Sequence, residues 1–478
     1  MNKRSQGARG VLVGLVFFVA LLVLRIDVST VSRPSVTTPP HSLTKNVQVA
    51  GTKRLSPTQR GEITGAPPLD SQTQSPESRE LAAAAITCDR SHRAYDTCTV
   101  NGPTLLHPPT ATFFLLRPTA GRLSPERIRP HPRKWENSTM SKIKEFTLAL
   151  AAGPPEGRRC DVEHDAPALV FSVGGYTGNF FHEFGDGLVP LFVTANTVFP
   201  GRDFVLVIDG ATGRWIHKYG DLLRALSDRP VVYVDRAKGS HCFPSASLGL
   251  ISHGFMTINP KLTPNSRTFL HFRRFLDEAY RRNRPEAPAA APRSPAWRPR
   301  LVITARSGGV GRVILNRKEV TDLAEAVGFE VAVFEPKRST PLREAYELIN
   351  SSHALVGVHG AALTHTLFLR PGAVLGQVVP IGAGWVARAC FEEPARAVGL
   401  SYVEYRIAPE ESSLLERYGR DSVLLKDPAA ANGGGWSAKV MRVYLKEQNV
   451  RLDVVRIRGF LEEVYEKAKK FMEEERQG

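Results

Sequence analysis

The chain predicts an α/β fold of two Rossmann-like domains facing a cleft, and three observations carry that reading. From about Pro167 to His271, apolar runs of strand length (Ala168–Val173, Asp203–Ile208, Pro230–Asp235) alternate with helical stretches, the pattern of a parallel sheet with crossover helices. A segment rich in Pro, Ala and Arg, Arg284–Arg300, then interrupts the alternation and reads as a linker. A second alternation follows: strand Leu301–Ala305, helix Arg317–Val327, strand Glu330–Glu335, helix Pro341–Asn350, then strands Ala354–Val358, Ala373–Val379 and Tyr402–Ile407, closed by a helix from about Gly459 to Phe471. The expected domains are 88–283 and 301–478, joined by 284–300.

With 478 residues, 42% of them hydrophobic, the chain can bury one or two full cores. Its formal charge of +16, from 63 Lys and Arg against 47 Asp and Glu, favours polyanionic partners. The Arg residues are scattered, however, and no zinc-finger spacing, RNP pattern or long basic block occurs, so no nucleic-acid partner is expected. Cys88, Cys98, Cys160, Cys242 and Cys390 are too widely spaced for a thiolate metal knuckle. Cys88 could pair with Cys98 or with Cys160, and the odd count leaves at least one thiol free.

Lys3, Arg4 and Arg9 precede the uncharged run Gly10–Leu24, and Arg25 follows it. These 15 residues are fewer than the roughly 20 that span a typical bilayer, a need relaxed by thinner early secretory membranes and by snorkelling of Arg25. No small-x-small cleavage site follows Leu24, so residues 10–26 read as an uncleaved signal anchor, with 1–9 cytosolic and the rest luminal. Residues 27–87, rich in Ser, Thr, Pro and Gln, read as a flexible stem. Glycosylation sequons at Asn137 and Asn350 fit a luminal chain; Asn137 lies in a polar stretch, whereas Asn350 ends a helix just before a buried strand.

Between Gly174 and Gly187 the chain reads GGYTGNFFHEFGDG, which sets Asn179, His182, Glu183 and Asp186 where a strand gives way to a turn and helix. A rigid sheet positions such groups while the turn keeps them reachable. His182 and Asp186 are the candidate catalytic pair, one acting as base and the other orienting it. Glu183 points elsewhere on a helix and Asn179 caps it, so both read as support.

In the second domain, Arg306-Ser-Gly-Gly-Val-Gly-Arg312 leaves the first strand and is followed by Asn316 and Glu319 at the start of a helix. Small residues let a backbone approach an anion, and the two arginines supply charge-assisted hydrogen bonds. A second anion-ready turn is His359-Gly360-Ala-Ala-Leu-Thr-His365, after strand Ala354–Val358. Arg306, Arg312, Asn316, Glu319, His359 and Gly360 are therefore the candidate diphosphate-binding residues. There is no DxD motif to hold a metal on a nucleotide-sugar diphosphate, so the expected solution uses arginines and helix N-termini, with no metal and no other cofactor. A Ser-His-Asp hydrolase would require a GxSxG elbow, which is absent. A catalytically silent glycan-binding scaffold has no need of His182, Asp186, Arg306 and His359 together.

Taken with the tail elements Lys426-Asp427-Pro428 and Gln448-Asn449-Val450, these motifs resemble plant members of glycosyltransferase family 61 from about Cys88 to the last helix. That resemblance implies a Golgi type II membrane protein of GT-B fold, inverting, usually with no metal requirement. The branch most like this chain resembles grass xylan arabinosyl- and xylosyltransferases, which transfer a pentose from a UDP-sugar to O-3 or O-2 of backbone xylose. It implies a UDP-pentose donor, with UDP-arabinofuranose favoured, a xylan or xylo-oligosaccharide acceptor, and room for association with other xylan synthases. β-1,2-Xylosyl transfer from UDP-xylose, to xylan or to an arabinosyl side chain, is the alternative. Many relatives have Gly and Asn where this chain has Ala362 and His365, a departure that bears on donor contacts.

Overall fold

Ten strands of the N-terminal half form one sheet in this computed structural model, which describes residues 85–117, 124–154, 160–201, 203–281, 297–433, 435 and 437–477. They are β1 (Ile86–Asp89), β2 (Thr97–His107), β3 (Thr112–Leu116), β4 (Glu126–Ile128), β5 (Phe146–Ala151), β6 (Val162–Glu163), β7 (Ala168–Ser172), β8 (Val205–Asp209), β9 (Val232–Tyr233) and β10 (His241–Leu248). The main order is β4-β5-β3-β2-β10-β7-β8-β9. The predicted parallel character holds from β10 through β7 and β8 to β9. It fails at β2, which runs antiparallel to β1, β3 and β10, so the sheet is mixed. The β2–β10 ladder shifts register between Phe243 and Ser245, opposite Gly102 and Pro103. Pro244 has no N–H for the ladder, and proline within a run hides a strand from periodicity.

The second sheet is wholly parallel: β11 (Arg300–Thr304), β12 (Glu330–Phe334), β13 (Ala354–Val358), β14 (Val374–Val379) and β15 (Ser401–Arg406), in the order β12-β11-β13-β14-β15. Every residue of β13 and β14 is buried, as in sheets covered on both faces. The chain order reverses between β11 and β13, so the crevice beyond their carboxyl ends is where this topology binds ligands.

The principal helices are α1 (Val189–Val198), α2 (Gly213–Leu226), α3 (Phe269–Arg281), α4 (Arg317–Val327), α5 (Leu342–Asn350) and α6 (Val454–Gln477). The closing helix α6 exceeds its expected span at both ends. Its core stripe, Phe460, Leu461, Val464 and Ala468, is flanked by charged turns in which Glu463–Lys467 and Lys470–Glu474 sit four apart, which extends a helix without apolar periodicity.

The structure pairs Cys88 with Cys98 across β1 and β2, and Cys160 with Cys242, leaving Cys390 as the free thiol. The Cys88–Cys160 alternative is thereby set aside. The anchor, residues 27–84 of the stem and residues 284–296 of the linker lie outside the described residues, while Ile86 and Thr87, expected in the stem, pair with β2 as part of β1; among the described residues, no helix is long and apolar enough to cross a membrane.

One apolar core runs through both halves, from Leu169 and Phe171 of the first sheet to Val302, Leu355 and Leu375 of the second. Phe184 lies at its centre, fully buried, with edge-on contacts to Tyr219, Phe272 and Phe368. Phe184→Ala is expected to destabilise the protein by about 3–5 kcal/mol, read from the urea unfolding midpoint.

Candidate active site

The polar stretch after β7 starts as a turn and becomes a helix at Phe180. Asn179 caps it, its side-chain oxygen accepting the Phe181 N–H at 3.1 Å. The helix widens to a π-turn over Glu183–Leu188 before α1. Pro190 has no N–H to donate to the carbonyl of Asp186 four residues back, which accounts for the widening.

Within this turn His182 and Asp186 meet: His182 Nδ1 lies 2.7 Å from Asp186 Oδ2. Asp186 is also gripped by Arg133, whose Nε and Nη2 donate to its two oxygens at 3.0 and 3.1 Å. Burial works against charge on both partners, yet the His182 hydrogen bond and the Arg133 charge hold the Asp186 carboxyl below its usual range, and Asp186 keeps Arg133 above its own. Asp186 is therefore an ionised acceptor. The same Nδ1 also lies 3.0 Å from Arg133 Nη2; because the ionised Asp186 only accepts, Nδ1 carries the proton in the His182–Asp186 bond, which assigns the ring's lone pair to Nε2. Tyr176 stacks on the His182 ring at 4.1 Å, and its hydroxyl donates to Glu136, which also takes a hydrogen bond from Arg133 at 3.0 Å. Glu183 turns away from the pair. Its oxygens accept from Gly178 N at 2.8 Å and Trp215 Nε1 at 2.6 Å, and burial raises its pKa.

At the β11–β13 crevice, Thr304, Ala305, Arg306, Arg312, Ile314, Arg317 and Val358 line a space of about 260 Å3. Arg306 and Arg312 are mostly buried, and among the described residues neither has a carboxylate within ion-pair reach. Burial lowers the pKa of Arg306, while burial and the neighbouring Arg306 push that of Arg312 down to about 9. Such a cation pair gains strongly from an anion. Gly360, with φ +148°, is what lets the guanidinium groups approach: a Cβ there would lie 2.1 Å from one nitrogen of Arg306 and 2.8 Å from one of Arg312. Gln377 Nε2 lies 3.0 Å from His359 Nδ1 and its oxygen takes the Tyr402 hydroxyl at 2.9 Å, so His359 carries its proton on Nε2. Burial and the two arginines push the His359 pKa down to about 3, which keeps the ring neutral.

Asn316 and Glu319 do not join this group. The Asn316 amide gives and takes hydrogen bonds with the Leu452 backbone at 2.8 and 3.0 Å and donates to Glu319, so both residues tie the loop to the tail. The Gln448-Asn449-Val450 element has the same task. Asn449 accepts the Val313 N–H at 3.1 Å, Val450 bridges Ile314, and the Gln448 carbonyl accepts the Arg312 N–H. His365 is also structural: it stacks on Phe180 at 4.2 Å and touches Phe334 and Phe368 edge-on. The two motifs meet at Phe391, with Phe181 at 5.7 Å on one side and His359 at 5.3 Å on the other. Asn137 is exposed at the start of a short helix, while the Asn350 oxygen accepts from the buried Arg273 at 2.5 Å. Sequence reasoning missed Arg133, an arginine in an irregular turn with no motif around it.

The site thus has an oriented His–Asp pair on one half and, on the other, an arginine pair with no carboxylate partner among the described residues. The Glycosyltransferase 61 family model matches residues 178–376, a span that includes His182, Asp186, Arg306, Arg312 and His359. The chain is 38% identical to the xylan glycosyltransferase MUCI21 of Arabidopsis thaliana, over 84% of this chain and 83% of that one. It is 37% identical to the alpha-1,3-arabinosyltransferase XAT3 of Oryza sativa subsp. japonica, over 78% of this chain and 64% of that one, and 33% identical to the beta-1,2-xylosyltransferase XYXT1 of the same species, over 79% and 83%. The chain belongs to glycosyltransferase family 61 and is a glycosyltransferase.

Removing Arg133 would strand a buried carboxylate. Arg133→Met is expected to cost about 3–5 kcal/mol in urea unfolding, most of it recovered in the Arg133→Met/Asp186→Asn double variant. Acid should also weaken the fold. His359 and His365 are pushed from 6.5 down to about 3, so as pH falls through that interval the unfolded chain takes up protons that the folded chain refuses. Each histidine contributes a stability loss of about 1.4 kcal/mol per pH unit below pH 6.5, and His365→Phe should remove one such share from the slope of unfolding free energy against pH.

Proposed function

We propose that this chain transfers a pentose from a UDP-sugar to backbone xylose of xylan with inversion, UDP-arabinofuranose and O-3 being favoured. The observation that carries this reading is the largely buried pair Arg306 and Arg312 at the strand-end crevice, with no carboxylate partner among the described residues and reached through Phe391 from the His182–Asp186 pair. The relatives named for xylan, arabinosyl and xylosyl transfer supply the sugar class.

His182 Nε2 takes the proton of the acceptor hydroxyl, and Asp186, held by Arg133, steadies the imidazolium that forms. The hydroxyl oxygen bonds to the sugar's anomeric carbon as the bond from that carbon to the diphosphate oxygen breaks on the opposite face. Charge growing on UDP is met by Arg306, Arg312 and the Nε2–H of neutral His359, so this reading needs no metal. We place the two halves in a GT-B-like arrangement, with domains 88–283 and 301–478, residues 10–26 as a Golgi anchor, the catalytic part luminal and Asn137 as the better glycosylation site. UDP-xylose with β-1,2 linkage is the second reading, favoured by relatives of that name at comparable identity.

Full-length protein incubated with a panel of UDP-sugars and labelled xylo-oligosaccharides is expected to consume UDP-arabinofuranose and form an α-1,3 product. Use of UDP-xylose alone would establish the second reading, and no transfer from any donor would refute both. His182→Ala should lower kcat by about 10^3 with UDP affinity retained, whereas Arg306→Ala should raise the donor KM and lower kcat.

A further inference from the structure

Two large aromatic side chains stand in solvent beside the His182–Asp186 pair, and no catalytic step above uses them. Trp135 is 51% exposed and Phe255 is 40% exposed, and their rings meet at right angles with centroids 6.2 Å apart. The Arg133 guanidinium lies 5.5 Å from the Trp135 ring and 5.4 Å from the Phe255 ring, and 5.2 Å from Tyr176, the ring stacked on His182. One buried cation thus supports both the basic histidine and the aromatic pair.

The exposure of Phe255 follows from how its turn is built. Gly254 has φ +129° and Met256 has φ +43°, a left-handed conformation that an L side chain adopts at a cost. Met256 is nonetheless buried, with its terminal methyl 3.7 Å from where a Cβ on Gly185 would lie. The turn is therefore anchored to the catalytic π-turn itself, and it holds outward a ring that hydrophobicity alone would bury.

Rings of this kind suit one class of ligand. A pyranose presents a face of C–H bonds that stacks on an aromatic surface, while its hydroxyls stay hydrated or reach polar groups at the rim. The donor nucleotide belongs at the crevice of the second sheet, which leaves the rings on the acceptor side. We propose that Trp135 and Phe255 form an acceptor subsite that stacks on a pyranose of the glycan backbone next to the unit His182 deprotonates. The assignment of the sugar as xylose rests on the function proposed above; the stacking of a pyranose does not.

The test is steady-state kinetics on the full-length protein with xylohexaose as acceptor, alongside calorimetric titration with UDP. Trp135→Ala and Phe255→Ala are each expected to raise the acceptor KM about tenfold while UDP affinity holds, and the ring-retaining Trp135→Phe and Phe255→Tyr variants should return it to within about twofold of wild type. An unchanged acceptor KM in both alanine variants overturns the subsite, as does a loss that the ring-retaining variants fail to rescue, since that marks a packing role. If either alanine variant does not fold, the comparison is made with Trp135→Leu and Phe255→Leu. If wild type ignores xylohexaose, the xylan reading fails separately, and the subsite is then judged by titration with cello-, manno- and galacto-hexaose. Binding that the alanine variants weaken supports it, and binding of none of these overturns it.

Discussion

The buried pair of Arg133 and Asp186 is the interaction on which the N-terminal half of the site depends. Two charges removed from water are costly unless each has further partners. Here the spare hydrogen-bonding capacity is used: the carboxylate also accepts from His182, and the guanidinium also donates to Glu136. The same guanidinium lies beneath Tyr176, Trp135 and Phe255. Fixing one ion pair therefore sets the tautomer of a histidine, the plane of the ring stacked on it and the position of two exposed aromatics.

The other half solves the opposite electrostatic problem. Arg306 and Arg312 are gathered with no carboxylate partner among the described residues, an arrangement that costs folding energy and that an anion would relieve. The cost is offset nearby. Gly311, at φ +70°, allows the loop to lie against the Lys446 carbonyl where a Cβ would come within 2.4 Å, and the Gln448–Leu452 backbone closes over it with hydrogen bonds to Arg312, Val313 and Asn316. These bonds fix the backbone on which Arg312 is carried.

Much of this was legible in the sequence because the second sheet follows simple rules. Its central strands β13 and β14 are wholly buried apolar runs, and the expected spans from Leu301 to Ile407 lie within a residue of those observed. His182 and Asp186 were legible as a pair because four residues on one helical turn bring side chains together. What stayed hidden depended on contacts between distant segments. Arg133 reaches Asp186 across 53 positions, and nothing in its own neighbourhood distinguishes it from other arginines. Asn316 and Glu319 looked like anion ligands because they open a helix beside a glycine loop, but the tail returning 136 residues later claims the Asn316 amide. His365, noted as a departure from relatives at a position bearing on donor contacts, is a stacked member of the core, where its flat ring fits against Phe180 as an aromatic would. The antiparallel strands β2 and β10 escaped notice for a local reason, since Pro103 and Pro244 interrupt the runs.

The closure of the Arg306–Arg312 loop by Gln448–Leu452 also bears on how the enzyme comes into being. Segments 130–186 and 300–365 can be synthesised and begin to pack while the tail is still within the ribosome, but the loop lacks its clamp until residue 452 has emerged. A ribosome that stalls between the second sheet and the tail would release a chain with the His182–Asp186 pair and an unfastened arginine loop. The arginine loop is thus fastened only after residues 130–365 have been made, although it is encoded within them.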